Sequence, residues 1–456
     1  MFYRKFVQPI TYQSPLELFQ SYSDTVPGVL FESVDVAPIY GRKSLFIIDP
    51  VAELVGHDGT MTITSLRPEG EIIKHQMPSS KSQTNSKFQL RDVFHHIKTD
   101  DPYFGLYGMF SYDFVRQFEV LPDQHPHLDV PDFHLYIPDL IFVYDHLKET
   151  AALHYYQMTD QTIAERLASL PVQPQSLQFS VGALQPNMPE ADYLAAIAKA
   201  KQHMAIGDIF EIVLSRKFSG SFNGSALGLY EQYREANPSP YMFFIRTPQR
   251  TVLGASPEMF VRVENNVVMT RPISGTAVRS QDAVTDYEHM LQLLNSPKEK
   301  SELDMLIDLA RNDVARVCRP GVQVTDYRYV EKYSKVMHTI AQVTGQLDTE
   351  QYIAFDALVA CLNAGTLTGA PKIRAMELIE ELEPERRGLY GGCIGYITFN
   401  NELNTGITIR SAMIEQGKVT TQAGASILFD STPAAELQET NHKAAALLGI
   451  LEKQRL

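Results

Sequence analysis

The chain has 456 residues, 44% of them hydrophobic and 21% charged, enough to bury a large core and more than one ordinary domain holds. Its 40 basic residues against 54 acidic ones give a formal net charge of −14, with no long Lys/Arg run, which argues against a nucleic-acid partner. No apolar run approaches the roughly 20 residues of a membrane helix, and the N-terminal Met-Phe-Tyr-Arg-Lys-Phe is no export signal, so a cytoplasmic protein is expected. The three cysteines, Cys318, Cys361 and Cys393, are odd in number and widely spread; they read as small buried hydrophobes in a reducing compartment.

In chain order, short β-like runs come first, at Ser44–Asp49, Thr60–Thr64 and Leu140–Tyr144. Polar or proline-rich stretches around them, Met77–Lys87 and Leu121–Pro138, predict surface loops. Leu170–Glu190, with PVQPQ and QPNMPE, predicts a junction, which divides the chain into an N-terminal region 1–170, a linker 171–190 and a region 191–456. Over Ala191–Ile206, the residues Tyr193, Leu194, Ile197, Ala200 and Met204 recur at helical spacing until Gly207 stops them. Further β-runs follow at Ile209–Leu214, Tyr241–Arg246, Thr251–Leu253 and Met259–Val263. Helical patterns return at Pro297–Arg311, Phe355–Leu362 and Pro371–Glu381, the last opened by proline at its first position. A meander then runs through Gly392–Phe399, Leu403–Ile414 and Val419–Phe429, and a helix from Pro433 to about Leu451 closes the chain. Long strands beside segregated helices predict an α+β fold.

Two Glu-x-x-Glu steps carry the most chemical information: Glu299 with Glu302, and Glu436 with Glu439, each on an expected helix. Positions i and i+3 share a helix face. A single such step is an ordinary solvated face, but two brought together offer carboxylate oxygens and few nitrogens, which suits magnesium better than zinc. Glycine-rich segments form a second group: Ile273–Thr276, Gly365–Lys372, Tyr390–Tyr396 and Gln422–Ser426. Glycine lets a backbone approach a ligand and aim its N–H groups at an anion. Gly365–Lys372 is not a phosphate loop, because proline stands where the helix-opening glycine belongs. Gly392-Cys-Ile-Gly395 is no nucleophile elbow, since its cysteine lies inside a strand pattern. The pairs His95-His96 and His125-Pro-His127 read as surface histidines without ligand spacing.

Taken in order, Gly254-Ala-Ser-Pro-Glu258, Arg271–Thr276, Lys298-Glu-x-x-Glu302, Asp308–Asp313, Val336-Met-His338, Gly365–Lys372 and Tyr390–Tyr396 resemble the chorismate-utilising enzymes. The similarity runs from about Ala191 to Leu451 and continues through Thr408-Ile-Arg410, Gln422–Ala425 and Glu436-x-x-Glu439-x-x-x-Lys443. Within that family the chain looks most like the large subunits of anthranilate synthase, which make anthranilate and pyruvate from chorismate and ammonia. The resemblance implies two packed, mainly antiparallel sheets with helices outside, and it gives the residues tasks. Glu302 and Glu439 would ligate Mg2+, with Glu299 and Glu436 in support, and the metal would hold the ring carboxylate. Glu258 would be the general acid for the departing ring hydroxyl, with His338 and Thr366 completing the catalytic set; His338 matches a position associated with eliminating pyruvate. Tyr390 and Arg410 would clamp the enolpyruvyl carboxylate, and backbone groups of Gly275, Thr276, Gly424, Ala425 and Ser426, with Thr366 and Lys443, would complete the cradle.

Two further segments resemble a tryptophan feedback site: Leu30-Phe-Glu-Ser33, and Asn237–Phe244 as its second wall. They imply a site of Glu32, Ser33, Lys43, Asn237, Pro240, Tyr241 and Met242, with L-tryptophan as inhibitor. The chain contains no tryptophan of its own, which suits an enzyme working upstream of it. Ammonia would come from a separate glutamine amidotransferase subunit, as a heterotetramer, because no glutaminase motif is present. Departures separate siblings. Water-using relatives place lysine at the position of Glu211, where anthranilate synthases commonly carry glutamine, and aminodeoxychorismate synthases place a nucleophilic lysine at that of Ser274, where anthranilate synthases usually have alanine; the resemblance gives neither Glu211 nor Ser274 a role of its own. Rival readings are a sister enzyme that releases aminodeoxyisochorismate or aminodeoxychorismate, and a non-catalytic tryptophan-binding subunit.

Overall fold

A computed structural model describes residues 2–34, 43–76, 86–173, 176–333 and 335–455. These form a 13-stranded and an 11-stranded sheet, both antiparallel throughout their strand ladders, with helices outside: the α+β arrangement expected. The larger sheet runs, edge to edge, through Arg4–Ile10, Thr150–Gln157, Leu140–Asp145, Lys43–Ile48, Gly28–Glu32, Tyr241–Arg246, Arg250–Ser256, Ser411–Glu415, Lys418–Leu428, Glu211–Gly224 and Phe179–Val181. The other runs through Ile273–Val278, Val336–Gln346, Val267–Thr270, Met259–Glu264, Leu403–Ile407, Cys393–Thr398, Gly105–Phe110, Phe133–Ile137, Ala52–His57 and Thr60–Ser65.

Side-chain alternation sorts the core into layers. In the larger sheet Val29, Leu45, Ile47, Val143 and Ile245 join the cluster facing the second sheet. Their neighbours Leu30, Phe46, Ile48, Phe142 and Phe244 lie in a second cluster on the opposite face, with Leu227, Tyr230 and Leu447 from helices Ala226–Ala236 and Pro433–Lys453. Phe133–Ile137 is covered on both faces and buried at all five positions, His134 among them with its Nε2 2.8 Å from Glu53 Oε2. That strand corrects the expected loop Leu121–Pro138: Pro131 and Pro138 flank the strand and none of the stretch's prolines falls within it. The expected loop Met77–Lys87 falls outside the described residues except for its last two, which open the helix Ser86–His96. Within 171–190, Phe179–Val181 and Gln185–Pro186 both pair with Glu211–Gly224, and strands preceding residue 170 lie in both sheets.

The expected strand Leu403–Ile414 is two strands in different sheets, Leu403–Ile407 and Ser411–Glu415. The chain changes sheet at Thr408–Arg410, with Arg410 at φ 51°, so one continuous strand pattern concealed a crossing. A second crossing, Pro257-Glu258, joins Arg250–Ser256 to Met259–Glu264. Backbone hydrogen bonds tie the two: Ile407 N–H donates to the Glu258 carbonyl at 3.1 Å, and Ala255 N–H to that of Arg410 at 3.0 Å. Glu258 and Arg410 thus meet where both chain segments leave one sheet for the other. Pro371 is also corrected, to the cap preceding helix Lys372–Leu382, where it accounts for the extended backbone before the first turn.

Candidate active site

A cavity of about 390 Å³ opens beside these crossings. Glu299 and Glu302 reach it from helix Pro297–Ala315, which Ser296 caps by accepting the Glu299 N–H at 3.3 Å. Leu303 and Ile307 anchor that helix in the core, which fixes the rotation that turns the two carboxylates inward. Glu436, Glu439 and Lys443 line the opposite wall from helix Pro433–Lys453, one turn apart. Lys443 Nζ lies 3.5 Å from Glu439 Oε1 and donates to the Gly424 carbonyl at 3.1 Å.

Between the helices the strands supply the floor. Gly275 has φ +69°, and a Cβ there would stand 2.6 Å from Glu299 Oε2, so the glycine is what admits the carboxylate. A Cβ on Gly424 would come within 2.9 Å of the Tyr390 hydroxyl. Ser426 also faces the cavity, whereas Ala425, between them on strand Lys418–Leu428, points to the other side into a core with Ile212, Leu214 and Ile427. The Ala425 side chain therefore does not face the cavity, and only its backbone is left for the expected role.

His338 Nδ1 lies 2.9 Å from the Gly275 carbonyl and 3.1 Å from Thr276 Oγ1. A carbonyl only accepts, so Nδ1 carries the proton and Nε2 keeps its lone pair. Burial, then Arg410 and Lys443, hold the imidazole below its ordinary pKa, in the neutral form. Thr366 Oγ1 donates to Glu258 Oε1 at 2.9 Å. Burial pushes the Glu258 carboxyl up to about 8, offset only in part by Thr366 and Lys443, which leaves it protonated at neutral pH.

The wall is charge-imbalanced. Glu211, Glu258, Glu299, Glu302, Glu436 and Glu439 face it against Lys298, Arg410 and Lys443. Burial first, then the charge of Glu299, raises Glu302; burial and then Glu302 raise Glu211. Such a set fits a hard divalent cation, because oxygen donors dominate and their mutual repulsion is what a cation relieves. Among the described residues no three His, Cys, Asp or Glu side chains yet stand close enough to hold an ion.

Beneath Tyr390, sequence reasoning missed a buried pair. Arg387 donates from Nη2 to Glu383 Oε1 at 2.6 Å and to the Val213 carbonyl at 2.6 Å, and its guanidinium lies 5.6 Å from the Tyr390 ring centre. Arg387 also donates to the Leu367 carbonyl, next to Thr366. One signal was available: Arg386-Arg387 sits three residues before Tyr390, too close to a buried motif for an idle surface charge. Cys393 lies inside strand Cys393–Thr398, fully buried, with its thiol pushed up by burial, as a nucleophile elbow would not have it.

A second cavity, of about 350 Å³, is lined by Glu32, Ser33, Lys43, Pro240, Tyr241 and Met242, with Tyr103, Tyr396 and Asn404. Asn237 does not line it; it caps the C-terminus of helix Ala226–Ala236, donating to the Tyr233 carbonyl. Glu32 turns its carboxylate to that helix, accepting from the Tyr230 hydroxyl at 2.7 Å and Arg234 Nε at 3.0 Å.

A family model for chorismate binding enzymes matches residues 39–449. Anthranilate synthase component 1 of Acetivibrio thermocellus is 34% identical over 97% of this chain and 93% of its own length. The component 1 of Pseudomonas aeruginosa is 37% identical over 96% of this chain and 92% of its own. Anthranilate synthase component I of Streptococcus pneumoniae superposes with a TM-score of 0.73 at 29% identity, covering 96% of this chain and 99% of that one. The menaquinone-specific isochorismate synthase of Escherichia coli shares the fold, with a TM-score of 0.76 at 18% identity over 98% of this chain and 94% of that one. The chain belongs to the chorismate-utilising enzyme family and is similar over nearly its whole length to anthranilate synthase component 1.

Proposed function

We propose that the protein is an anthranilate synthase large subunit, a lyase that converts chorismate and ammonia to anthranilate and pyruvate with magnesium, at the first step of tryptophan synthesis. The observation that carries this reading is the convergence of four glutamates from two helices on one cavity beside a protonated Glu258. Glu302 and Glu439, with Glu299 and Glu436, would hold Mg2+, which when bound neutralises the ring carboxylate and fixes the ring. Arg410 and Tyr390 bind the enolpyruvyl carboxylate, the planar guanidinium offering two parallel donors. Glu258 delivers its proton to the departing ring hydroxyl while Thr366 holds the carboxyl in place. Neutral His338, with Nε2 free, stands ready to take a proton during pyruvate elimination. Gly275, Thr276, Gly424, Ser426 and Lys443 shape the cradle, and Ser274 leaves no nucleophilic lysine for covalent attack on the ring.

The second cavity is the feedback site in this reading, taking L-tryptophan between Ser33, Lys43, Pro240, Tyr241 and Met242. Component 1 names in the relatives support a partner component, which in this reading is an amidotransferase that supplies ammonia. The test is chorismate with ammonium and magnesium, followed by anthranilate fluorescence and product mass, with and without tryptophan. Anthranilate and pyruvate in equal amounts are expected. An intact enolpyruvyl amine, or no turnover, overturns the assignment.

A further inference from the structure

The imidazole of His338 is fixed at Nδ1 by the Gly275 carbonyl and Thr276, but a ring held along one edge can still tilt. A base that must aim a lone pair at a reacting carbon needs a second support. Tyr333 supplies it: the two rings meet edge to face, with centroids 5.7 Å apart and planes at 64°. Tyr333 is buried and does not line the cavity, so it reaches the chemistry only through His338.

Glu331 holds the tyrosine. It stands directly across from His338 on the paired strands Gln323–Lys332 and Val336–Gln346, where opposite side chains share a face. Its carboxylate does not take the imidazole proton, which goes to Gly275; Oε2 instead accepts from the Tyr333 hydroxyl at 2.8 Å. Glu331 Oε1 lies 3.9 Å from Arg271 Nη1, and Arg271 opens the segment that ends in Gly275 and Thr276, the two partners of His338. The Tyr333 backbone is pinned as well, its N–H donating to the Val336 carbonyl at 2.8 Å and its carbonyl accepting from Arg279 Nη1 at 2.7 Å. Both supports of the imidazole thus lead back to one buried carboxylate.

The geometry points to Tyr333 as a positioning residue for pyruvate elimination, its ring fixing the aim of His338 Nε2 and its hydroxyl tethered to Glu331; the inference rests on the elimination role given to His338 above. In that step Nε2 takes the proton from the ring carbon that bears nitrogen, and the C–H electron pair enters the ring. The pair of the ring C–O bond leaves with enolpyruvate, which takes a proton on its methylene carbon to become pyruvate. A tilted imidazole slows this step and leaves the preceding amination untouched, so the aminated intermediate escapes with its enolpyruvyl group intact.

The test compares wild type with Tyr333→Leu, which removes the ring, and Tyr333→Phe, which removes only its tether. The share of product released as enolpyruvyl amine is measured by mass on each, with KM for chorismate and ammonium and the thermal midpoint. Expected for Tyr333→Leu are a rise in that share of at least about tenfold and both KM values within about twofold of wild type, since a small misplacement of a catalytic group acts on rate rather than on binding. Tyr333→Phe should raise the share by about two- to fivefold, and it carries the test if the leucine variant does not fold. An unchanged share in the folded variants overturns the proposal, even beside lower stability or a uniform fall in turnover, which is all that a packing role would give. A chorismate KM that climbs with the share overturns it as well, by making Tyr333 a substrate contact. Either result leaves the functional reading standing while wild type forms anthranilate and pyruvate; wild type that forms neither sinks both.

Discussion

The two cavities differ in how they treat buried acid. In the one lined by Glu32, burial also raises the carboxyl, but positive and donor partners on the neighbouring helix work against it: one oxygen takes a hydrogen bond from Tyr230 and an ion pair from Arg234. In the one lined by Glu211, Glu258 and Glu302, carboxyls outnumber cations and burial and mutual repulsion lift their pKa values. Satisfied acid holds structure together, whereas acid left short of partners stores a demand that a ligand meets. Their construction differs too. Every lining residue of the acidic cavity follows residue 210, while the other cavity needs strands Gly28–Glu32 and Lys43–Ile48 beside Tyr241–Arg246.

The sharpest way to break this contrast is Glu302→Gln. Removing one member of an under-neutralised set should cost roughly a thousandfold in turnover and weaken magnesium binding, with the thermal midpoint unchanged or raised. Retained turnover in magnesium would remove the metal assignment. Next comes Glu258→Gln, expected to lower kcat by about 10²–10⁴-fold. In wild type the acid is protonated below about 8, so turnover should fall as pH rises through that value. Stability runs the same way: the unfolded carboxyl ionises near 4.5 and the native one near 8, so the unfolded chain binds fewer protons between them. Wild type therefore loses stability across that window, and a urea series on the glutamine variant should show a shallower loss; parallel pH profiles would refute the buried-acid argument.

Glu32→Ala tests the paired acid. It should lower stability by about 2 kcal/mol, because Tyr230 and Arg234 lose their acceptor, and leave turnover with ammonium nearly intact. A large loss of kcat would mean the cavities are not separable in this way. The smallest effect on turnover is expected from Ser33→Phe, which fills the second cavity: tryptophan inhibition should vanish while kcat stays within about twofold of wild type. Undiminished inhibition would place tryptophan elsewhere.

The periodicities of Ala191–Ile206 and Pro297–Arg311 were legible because each helix buries one stripe, and the motif order from Gly254 to Lys443 was enough to identify the family. Which acids lie on a common helix face also follows from spacing alone, since i and i+3 align in any α-helix. Leu403–Ile414 shows where local pattern stops. No glycine or proline marks Thr408–Arg410, yet the chain changes sheet there, because both halves carry a strand pattern that does not reveal which sheet each joins. Asn237 was drawn in with its motif and is left out of the second cavity by its place at a helix cap.

Chain order and residue type thus determined the family, the α+β class and the acids with chemistry to offer, because helix and strand periods are local properties. Tertiary structure alone decided that Glu258 and Arg410 meet at paired sheet crossings and that two helices aim their glutamates at one cavity. It also decided that Glu258 is dry enough to keep its proton. Convergence, burial and pKa depend on contacts between residues far apart in the chain, and no local pattern encodes the dielectric a side chain finally meets.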